Sequence, residues 1–335
     1  MKIILGAIKE FNDDALMLAK QLGADGFHFN TPPIALSDEK FWSLSSLKWL
    51  REYTEKFGLR LEMIENVPIR FIDKIICGLP GRDEQIENYI KTIKNIGEAG
   101  IPVLGHHFCP TWAWRTSIDY PYRGGATVSA YDRAIENKVP NAYKISNAHM
   151  IDFGDNPPPD SEKLWKNFEY FIKAVIPEAE KAGIKLITHP SDPPIKNVAG
   201  ADRIFISQED FRRAEKIADN PAWGINFCMG TFSQLGGEEA VMNMIKEFVP
   251  KKRIHLVHFR DVQGTVEHFN ECFIGEGRYN PTKIMKALYD YGYNGPILDD
   301  HVPFLTNDTR WGHTARAYTL GYLKGIKNSI EFSEE

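Results

Sequence analysis

The stretch Arg253-Ile-His-Leu-Val-His258 is a short apolar run that ends in a histidine. Three further runs of the same form end in a histidine, a cysteine or an aspartate: Ile184-Lys-Leu-Ile-Thr-His189, Trp223-Gly-Ile-Asn-Phe-Cys228 and Pro296-Ile-Leu-Asp-Asp300. Each run has the length and composition typical of a buried β-strand. A helix-like segment separates each run from the next, and this alternation predicts parallel strands whose ends meet at one edge of a sheet.

The same alternation continues along almost the whole chain of 335 residues. Strands are predicted at residues 2–7, 25–29, 59–65, 101–108, 184–189, 223–228, 253–259 and 296–300. Helices are predicted at residues 13–22, 43–57, 84–99, 161–182, 208–218, 238–248, 281–291 and 315–329. Eight strand–helix units predict an α/β fold, a (β/α)8 TIM barrel that forms a single domain over residues 1–335. The main rival, an open doubly wound sheet, requires a GxGxxG phosphate turn after an early strand, and the sequence has none.

Residues 109–160, after the fourth predicted strand, form the longest stretch without a periodic pattern, and they are rich in Tyr, Pro, Gly and Asn. A loop that follows a barrel strand lies on the face that carries active sites. We therefore expect a long loop insertion after strand 4 that serves as a lid or an active-site wall. A partly disordered surface loop is the alternative.

Composition limits the classes of partner. The net charge of −5 gives no electrostatic basis for binding nucleic acid or an anionic membrane surface. No apolar run approaches the roughly 18 residues of a membrane span. The four cysteines are widely spaced without a CxxC pair, which predicts reduced thiols in the cytoplasm. We expect a cytoplasmic protein with no nucleic-acid or membrane partner, and a homodimer is left open.

Four strand-end residues converge on one pocket if the fold is a barrel. They are His189, Cys228, His258 and Asp300. Side chains two positions earlier point the same way, and they are Ile187, Asn226, Leu256 and Leu298. Three of those are aliphatic, as inner core layers require. Two imidazoles, a thiolate and a carboxylate form a coherent ligand set for a divalent transition metal. By residue type alone, zinc and iron(II) compete with manganese, because thiolate is a soft ligand.

Further polar residues gather at the same end of the predicted sheet. They are Glu65, His106, His107, Arg115, Arg260, His268 and His301. Arginine and histidine together suit an anionic, polyhydroxylated ligand, since arginine binds carboxylates and histidine serves hydroxyls and proton transfer. Strand alternation allows only one of His106 and His107 to point inward. Arg260 has an alternative partner in its neighbour Asp261.

Five segments of the chain, in order, resemble mannonate dehydratase of the metal-dependent bacterial uronate pathway. They are Glu65-Asn-Val-Pro-Ile69, His189-Pro-Ser-Asp-Pro-Pro194, Cys228-Met-Gly-Thr231, Ile254-His-Leu-Val-His-Phe-Arg260 and Asp299-Asp-His301. The cysteine at the end of strand six distinguishes this family from the wider xylose-isomerase-like barrels, which usually place carboxylates and histidines there.

The resemblance implies a TIM barrel that binds manganese(II), with iron(II) as an alternative, and dehydrates the sugar acid D-mannonate to 2-keto-3-deoxy-D-gluconate. The implied metal ligands are His189, Cys228, His258 and Asp300. His301 matches a catalytic histidine of the family. Arg115 lies in a segment that resembles the family's Trp-x-Arg-Thr substrate segment with one residue missing. Ala317 stands where the family has a functional tyrosine, and Tyr318 is one residue further on.

The expected reaction removes the C2 proton and the C3 hydroxyl of the sugar acid, with His301 as one proton-transfer group. Tyr318, His107 and a metal-bound water are the candidates for the other. The expected substrate-binding residues are Arg115, Glu65, Arg260 and His268. One alternative is a metal-dependent sugar isomerase or epimerase on the same barrel. The other is a non-catalytic protein that binds a sugar acid.

Overall fold

The computed structural model describes residues 1–9, 11–36, 38–142, 151, 153 and 157–332. In chain order, the strands are β1 (Lys2–Ile3), β2 (Leu5–Ile8), β3 (Phe27–Asn30), β4 (Leu61–Glu65), β5 (Val103–His107), β6 (Ser117–Pro121), β7 (Thr127–Asp132), β8 (Lys185–His189), β9 (Asn197–Val198), β10 (Ala201–Asp202), β11 (Trp223–Cys228), β12 (Ile254–His258), β13 (Val262–Thr265), β14 (His268–Glu271) and β15 (Pro296–Leu298).

The helices alternate with the strands of the central sheet. They are α1 (Asp13–Gln21), α2 (Leu44–Glu55), α3 (Asp73–Cys77), α4 (Arg82–Glu98), α5 (Ser161–Lys181), α6 (Gln208–Ala218), α7 (Met229–Phe248), α8 (Pro281–Asp290) and α9 (His313–Phe332). In the described part of the chain, no helix is both long enough and apolar enough to cross a membrane.

The central sheet closes on itself as a barrel. Its strands follow the order β1-β15-β12-β11-β8-β5-β4-β3-β2, and every neighbouring pair is parallel. β1 and β2 are two halves of one strand that is interrupted at Ile4, whose N–H still donates to the Ile297 carbonyl over 2.9 Å. Because these halves pair with opposite ends of the sheet, eight strands close the barrel, and the predicted fold class is confirmed.

The barrel interior has its own apolar core, separate from the larger core between strands and helices. Its members come from six barrel strands: Ile4, Met63, Val103, Ile187, Leu256 and Leu298. Strand alternation predicted that Ile187, Leu256 and Leu298 point inward. Their position in this core means that the residues two places further along each strand face the pocket above it.

One helix begins much earlier than predicted. Residues 238–248 were expected, but α7 starts at Met229, directly after β11. Gly236 and Gly237 break the regular dihedral angles within it, and Gly237 has a φ of 60°. The glycine pair interrupts the helical pattern of the sequence, so the part of α7 before Gly236 was not recognised as a helix. The extra segment brings Thr231 and Gln234 next to the pocket.

The prediction of an irregular loop at residues 109–160 is corrected by the structure. β6 and β7 lie in this stretch, and they form an antiparallel sheet in the order β13-β14-β7-β6. β6 pairs with its sequence neighbour β7, whereas β7 also pairs with β14, which comes from the segment after β12 and is more than a hundred residues away in sequence. The distant pairing of β7 with β14 leaves no local signal. Residues 143–150, 152 and 154–156 of the predicted loop lie outside the described residues.

Candidate active site

Three of the four predicted metal ligands meet at the end of the barrel. One ligand atom each from His189, Cys228 and His258 lies within 4.8 Å of the others, and all three side chains are buried. The strands produce this arrangement directly, because the register of β11 and β12 places Cys228 opposite His258. His189 ends β8, the neighbour of β11 on the other side.

Asp300, the fourth predicted ligand, borders this cluster. Its Oδ2 atom lies 3.5 Å from Nδ1 of His258 and 2.9 Å from Nε of Arg260. Asp300 has a φ of 55°, a conformation that aspartate tolerates better than most residues. Arg316 of α9 fixes this strand end, since it donates to the Asp300 carbonyl over 3.2 Å and to the Asp299 carboxylate over 2.8 Å.

His189 is prepared to bind a cation, and His258 lies beside two carboxylates. His189 donates from Nδ1 to the Pro190 carbonyl over 2.6 Å, so its Nε2 atom keeps a lone pair for a metal. Burial lowers the pKa of His189 to about 4, which keeps the ring neutral. Both ring nitrogens of His258 are buried, with Nε2 3.3 Å from Glu65 and Nδ1 3.5 Å from Asp300. Burial opposes protonation of His258, but the charges of Asp300 and Glu65 hold its pKa well above the usual value.

The charged groups around the metal-ligand cluster favour the ionised forms of Cys228 and Asp300. Burial by itself raises the pKa of the Cys228 thiol, but the charge of Arg260 and a hydrogen bond with His258 outweigh burial and lower that pKa. Burial likewise opposes ionisation of Asp300, and the charges of His301 and His258 hold its pKa well below the usual value. A thiolate, a carboxylate and two imidazoles together fit a divalent transition metal, which would take the place of the proton on His258.

Glu65 lies at the centre of the pocket floor. Its Oε2 atom accepts a hydrogen bond from His28 Nε2 over 3.0 Å, and its Oε1 atom accepts one from Asn226 over 2.9 Å. The backbone N–H of Ala7 donates to His28 Nδ1 over 2.9 Å, so Nε2 is the nitrogen that carries the proton. Glu65 also lies 3.3 Å from His258 Nε2. The sequence predicted a substrate contact for Glu65, and the structure places its carboxylate beside the proposed metal ligand His258.

His106 and His107 follow the predicted alternation. His106 points outward, where it is hydrogen-bonded to Thr188 and its ring packs against Phe171. His107 points into the pocket, stacked between Trp112 at 4.5 Å and His189 at 4.0 Å between ring centroids. Burial lowers the pKa of His107 to about 4. His107, Glu65 and His189 also form a second set of ligand atoms within 4.8 Å of one another.

Arg115 and Arg260 lie side by side in a buried network with two acids. Nη2 of Arg115 donates to Asp192 and Glu271, each over 2.7 Å. Arg260 donates to the same two carboxylates over 2.6 and 2.7 Å. The alternative pair of Arg260 with Asp261 does not form among the described contacts. Both guanidiniums are engaged by internal carboxylates, whereas the sequence predicted that they clamp a substrate carboxylate.

His301 stands at the edge of this network, and 27% of its side chain is exposed. Nδ1 lies 2.9 Å from Glu271 Oε1, and Nε2 lies 3.6 Å from Asp300 Oδ2. A carboxylate beside Nδ1 orients the ring and leaves Nε2 on the side of the metal ligands. Of the predicted catalytic residues, His301 and His107 are therefore both brought to the pocket.

The structure does not bring His268 and Tyr318 to the pocket. His268 lies on β14 with its side chain exposed, beside Asp132 and Tyr120. Tyr318 lies on α9, 44% exposed, with its ring against Phe273. In the described contacts neither side chain reaches the metal ligands. Each belongs to an element whose outward face could not be determined from the local sequence.

Sequence reasoning missed several residues of the site. They are His28, Asp192, Asn226 and Glu271. Asn226 carried a signal, since it is the polar member of an otherwise aliphatic inward layer. Asp192 carried another, because it lies in the segment that begins at His189. Glu271 gave none, because it enters the site from β14 of the antiparallel sheet.

Fold and site together define the class of this protein as an enzyme on a TIM barrel with a cluster of potential metal ligands at its strand ends. Among solved structures, D-psicose 3-epimerase with D-tagatose from Clostridium cellulolyticum H10 superimposes with a TM-score of 0.61, covering 99% of each chain. Its sequence is 14% identical, so this likeness concerns the fold alone.

Closer relatives identify the family. The family model described as D-mannonate dehydratase (UxuA) matches residues 12–335. Mannonate dehydratase of Streptococcus agalactiae serotype Ia is 31% identical over 310 residues, covering 86% of this chain and 87% of the relative. That of Thermotoga petrophila is 34% identical over 325 residues, covering 87% of each. The crystal structure of mannonate dehydratase from Streptococcus suis serotype 2 superimposes with a TM-score of 0.86 at 28% identity, covering 100% of this chain and 96% of that one.

The chain belongs to the mannonate dehydratase family. It is a dehydratase, a carbon–oxygen lyase, as the resemblance of its motifs predicted. The alternatives of a sugar isomerase or epimerase and of a non-catalytic binding protein gain no support from these relatives.

Proposed function

We propose that the protein dehydrates D-mannonate to 2-keto-3-deoxy-D-gluconate with a divalent metal held by His189, Cys228, His258 and Asp300. The observation that carries this proposal is the buried cluster of His189, Cys228 and His258, whose ligand atoms lie within 4.8 Å of one another. It lies at the C-terminal ends of barrel strands, where TIM-barrel enzymes have their active sites. The family supplies the reaction and the substrate.

The proposed metal is Mn²⁺, with Fe²⁺ as the alternative. One soft thiolate, two imidazoles and one carboxylate suit a first-row transition metal better than Mg²⁺ or Ca²⁺. When bound, the metal supplies Lewis-acid stabilisation of the negative charge that develops on the substrate as the C2 proton leaves. The lowered pKa values of Cys228 and Asp300 support this assignment, because both groups ionise more readily than they would without their charged neighbours.

His301 is the proposed proton-transfer residue at the C3 hydroxyl. Its Nδ1 is held by Glu271 and its Nε2 faces the side of Asp300, so a proton on Nε2 can pass to the leaving hydroxyl. The C3–O bond then breaks and water leaves, while the C2–H bond breaks toward a base. The resulting enol rearranges to the 2-keto acid. His107 is the proposed second group, since it lies in the pocket and Tyr318 does not.

Arg115 and Arg260 organise the site in this proposal. Both are bound by Asp192 and Glu271, and Arg260 also contacts Cys228 and Asp300. A cytoplasmic location is part of the proposal and is supported by the cysteines, all four of which are free and buried. A homodimer stays a prediction.

The test is turnover of D-mannonate by the purified protein loaded with Mn²⁺ or Fe²⁺. We expect a 2-keto-3-deoxy acid that appears only with metal and that has lost one water by mass spectrometry. A product of unchanged mass would instead support the isomerase or epimerase alternative. Absence of the keto acid, with metal shown to be bound, would overturn the substrate assignment.

A further inference from the structure

Lys9 directly follows β2 and so lies at the end of the first barrel strand, on the face of the metal-ligand cluster. The Lys9 side chain is partly buried. Within the described ranges, its ammonium group forms no hydrogen bond or ion pair.

The surroundings of Lys9 penalise its charge. Burial is the main cause and lowers the pKa of Lys9 to about 8, while the negative charge of Glu65 acts in the opposite direction. The Lys9 ammonium therefore lies within electrostatic reach of Glu65, which is 3.3 Å from the proposed ligand His258. A partly desolvated cation is stabilised when an anion binds beside it.

Lys9 lines a cavity that can take a small molecule. Its volume is about 370 Å³, within the range of small-molecule sites. The lining residues are Ala7, Ile8, Lys9, Asn12, Asp14, Thr309, Arg310, Trp311 and His313.

Hydrogen bonds connect both walls of the cavity to the proposed metal site. On one side, the Ala7 N–H donates to His28, and His28 donates to Glu65. On the other side, Arg316 donates to the Trp311 carbonyl over 2.9 Å and to the Asp300 carbonyl over 3.2 Å. Each wall of the cavity is therefore linked through one intermediate side chain to Glu65 or Asp300, which do not themselves line it.

The charged groups near the pocket favour Lys9 as the ligand of the substrate carboxylate. A sugar acid brings one carboxylate, and the two buried arginines that could receive it already share Asp192 and Glu271. Arg310 also lines the cavity, but it is exposed, and a solvated charge contributes little to binding. We propose that Lys9 binds the carboxylate of the substrate and makes the enzyme select sugar acids over neutral polyols. This inference rests on the proposed function for the identity of the acid.

The test compares Lys9→Met, Lys9→Arg and the control Lys216→Met, which removes the same charge from an exposed position on α6. The metal-loaded enzymes are assayed with D-mannonate as substrate. D-Mannitol serves as the competitive inhibitor, because it has a hydroxymethyl group in place of the carboxylate. We expect Lys9→Met to raise KM for D-mannonate about 10- to 100-fold, the value of one charge-assisted hydrogen bond. The inhibition constant of D-mannitol should stay within about twofold.

Lys9→Arg should keep most of the affinity, and Lys216→Met should match the wild type. Equal weakening of both ligands by Lys9→Met would show a packing effect and overturn the inference, as would an unchanged KM. Wild-type turnover in the same assay separately tests the proposed function. Should the wild type not convert D-mannonate, calorimetric titration with D-gluconate decides: binding that Lys9→Met abolishes supports the inference, and any other result overturns it.

Discussion

Arg260 donates a hydrogen bond from Nε to the sulfur of Cys228 over 3.2 Å. The same nitrogen lies 2.9 Å from Asp300 Oδ2, so one guanidinium holds two proposed metal ligands in place. Its two terminal nitrogens are bound to Glu271 and Asp192. This one side chain therefore connects the proposed metal ligands to the acid that orients His301.

Arg260→Met should disrupt the site at its centre. The change leaves buried carboxylates without one of their cations, which typically costs about 3–5 kcal/mol of unfolding free energy. Arg260 holds the proposed metal ligands Cys228 and Asp300 in position, so loss of its contacts with them should lower metal affinity about 10- to 100-fold. Chemical denaturation and metal titration measure the two effects.

Arg253→Met is the matched control for this change. Arg253 precedes β12 and forms an ion pair with Glu215 at 2.8 Å, at the opposite end of the same strand. We expect its loss to leave metal affinity unchanged. Wild-type metal affinity in Arg260→Met would contradict the positioning role of the guanidinium.

Cys228→Ser should remove the soft ligand and keep the size of the side chain. The wild-type protein at a metal concentration of 100 times Kd should gain about 2.7 kcal/mol of stability. The variant should gain clearly less at the same concentration, because serine is a poor ligand for a transition metal at neutral pH. Thermal unfolding with and without metal measures the difference.

Replacement of the metal by Co²⁺ tests independently whether the sulfur of Cys228 binds the metal. A thiolate bound to Co²⁺ produces a charge-transfer band in the near ultraviolet, which the wild type should show and Cys228→Ser should lack. Cys77→Ser, a buried cysteine on α3, should keep the band. Retention of the band in Cys228→Ser would remove Cys228 from the ligand set.

His301→Asn should lower kcat with little change in metal content. The asparagine amide can still donate to Glu271, but it has no group at the position of Nε2. Loss of general acid catalysis typically costs about 10²- to 10⁴-fold. Steady-state kinetics on D-mannonate measure the effect, and KM should change much less than kcat.

His268→Asn serves as the comparison. His268 was also a predicted site residue, yet it lies exposed on β14 beside Asp132. Its replacement should leave kcat within about twofold, as is usual for surface changes away from a site. A large loss in His268→Asn, or full activity in His301→Asn, would reverse the roles assigned to the two histidines.

The barrel and the metal cluster could be predicted because their signals are local. Each strand shows its apolar run and its end residue, and the period of two fixes which side chains face inward, as Ile187 and Leu256 do. Parallel strands in a barrel then bring successive strand ends together without further information. The position of His189 beside Cys228 follows from these two facts.

What could not be predicted depends on partners that are distant in sequence. Arg115 and Glu271 are 156 residues apart, and their pairing follows from the sheet formed by β6, β7, β13 and β14. A sequence pattern can show that an arginine is near a pocket, but it cannot show whether an internal carboxylate already binds it. The same limit applies to Tyr318, because the rotation of α9 depends on packing against distant residues such as Phe273.

Tyr318→Phe tests that rotation together with the choice of the second proton-transfer group. Because the Tyr318 side chain is 44% exposed and its ring packs on Phe273, removal of the hydroxyl should leave kcat within about twofold. His107→Asn should instead lower kcat at least about tenfold, since His107 is stacked on His189 in the pocket. Both variants are compared at saturating metal, with metal content measured in each. A hundredfold loss in Tyr318→Phe alone would assign the proton transfer to Tyr318 and would require α9 to turn toward the pocket when substrate binds.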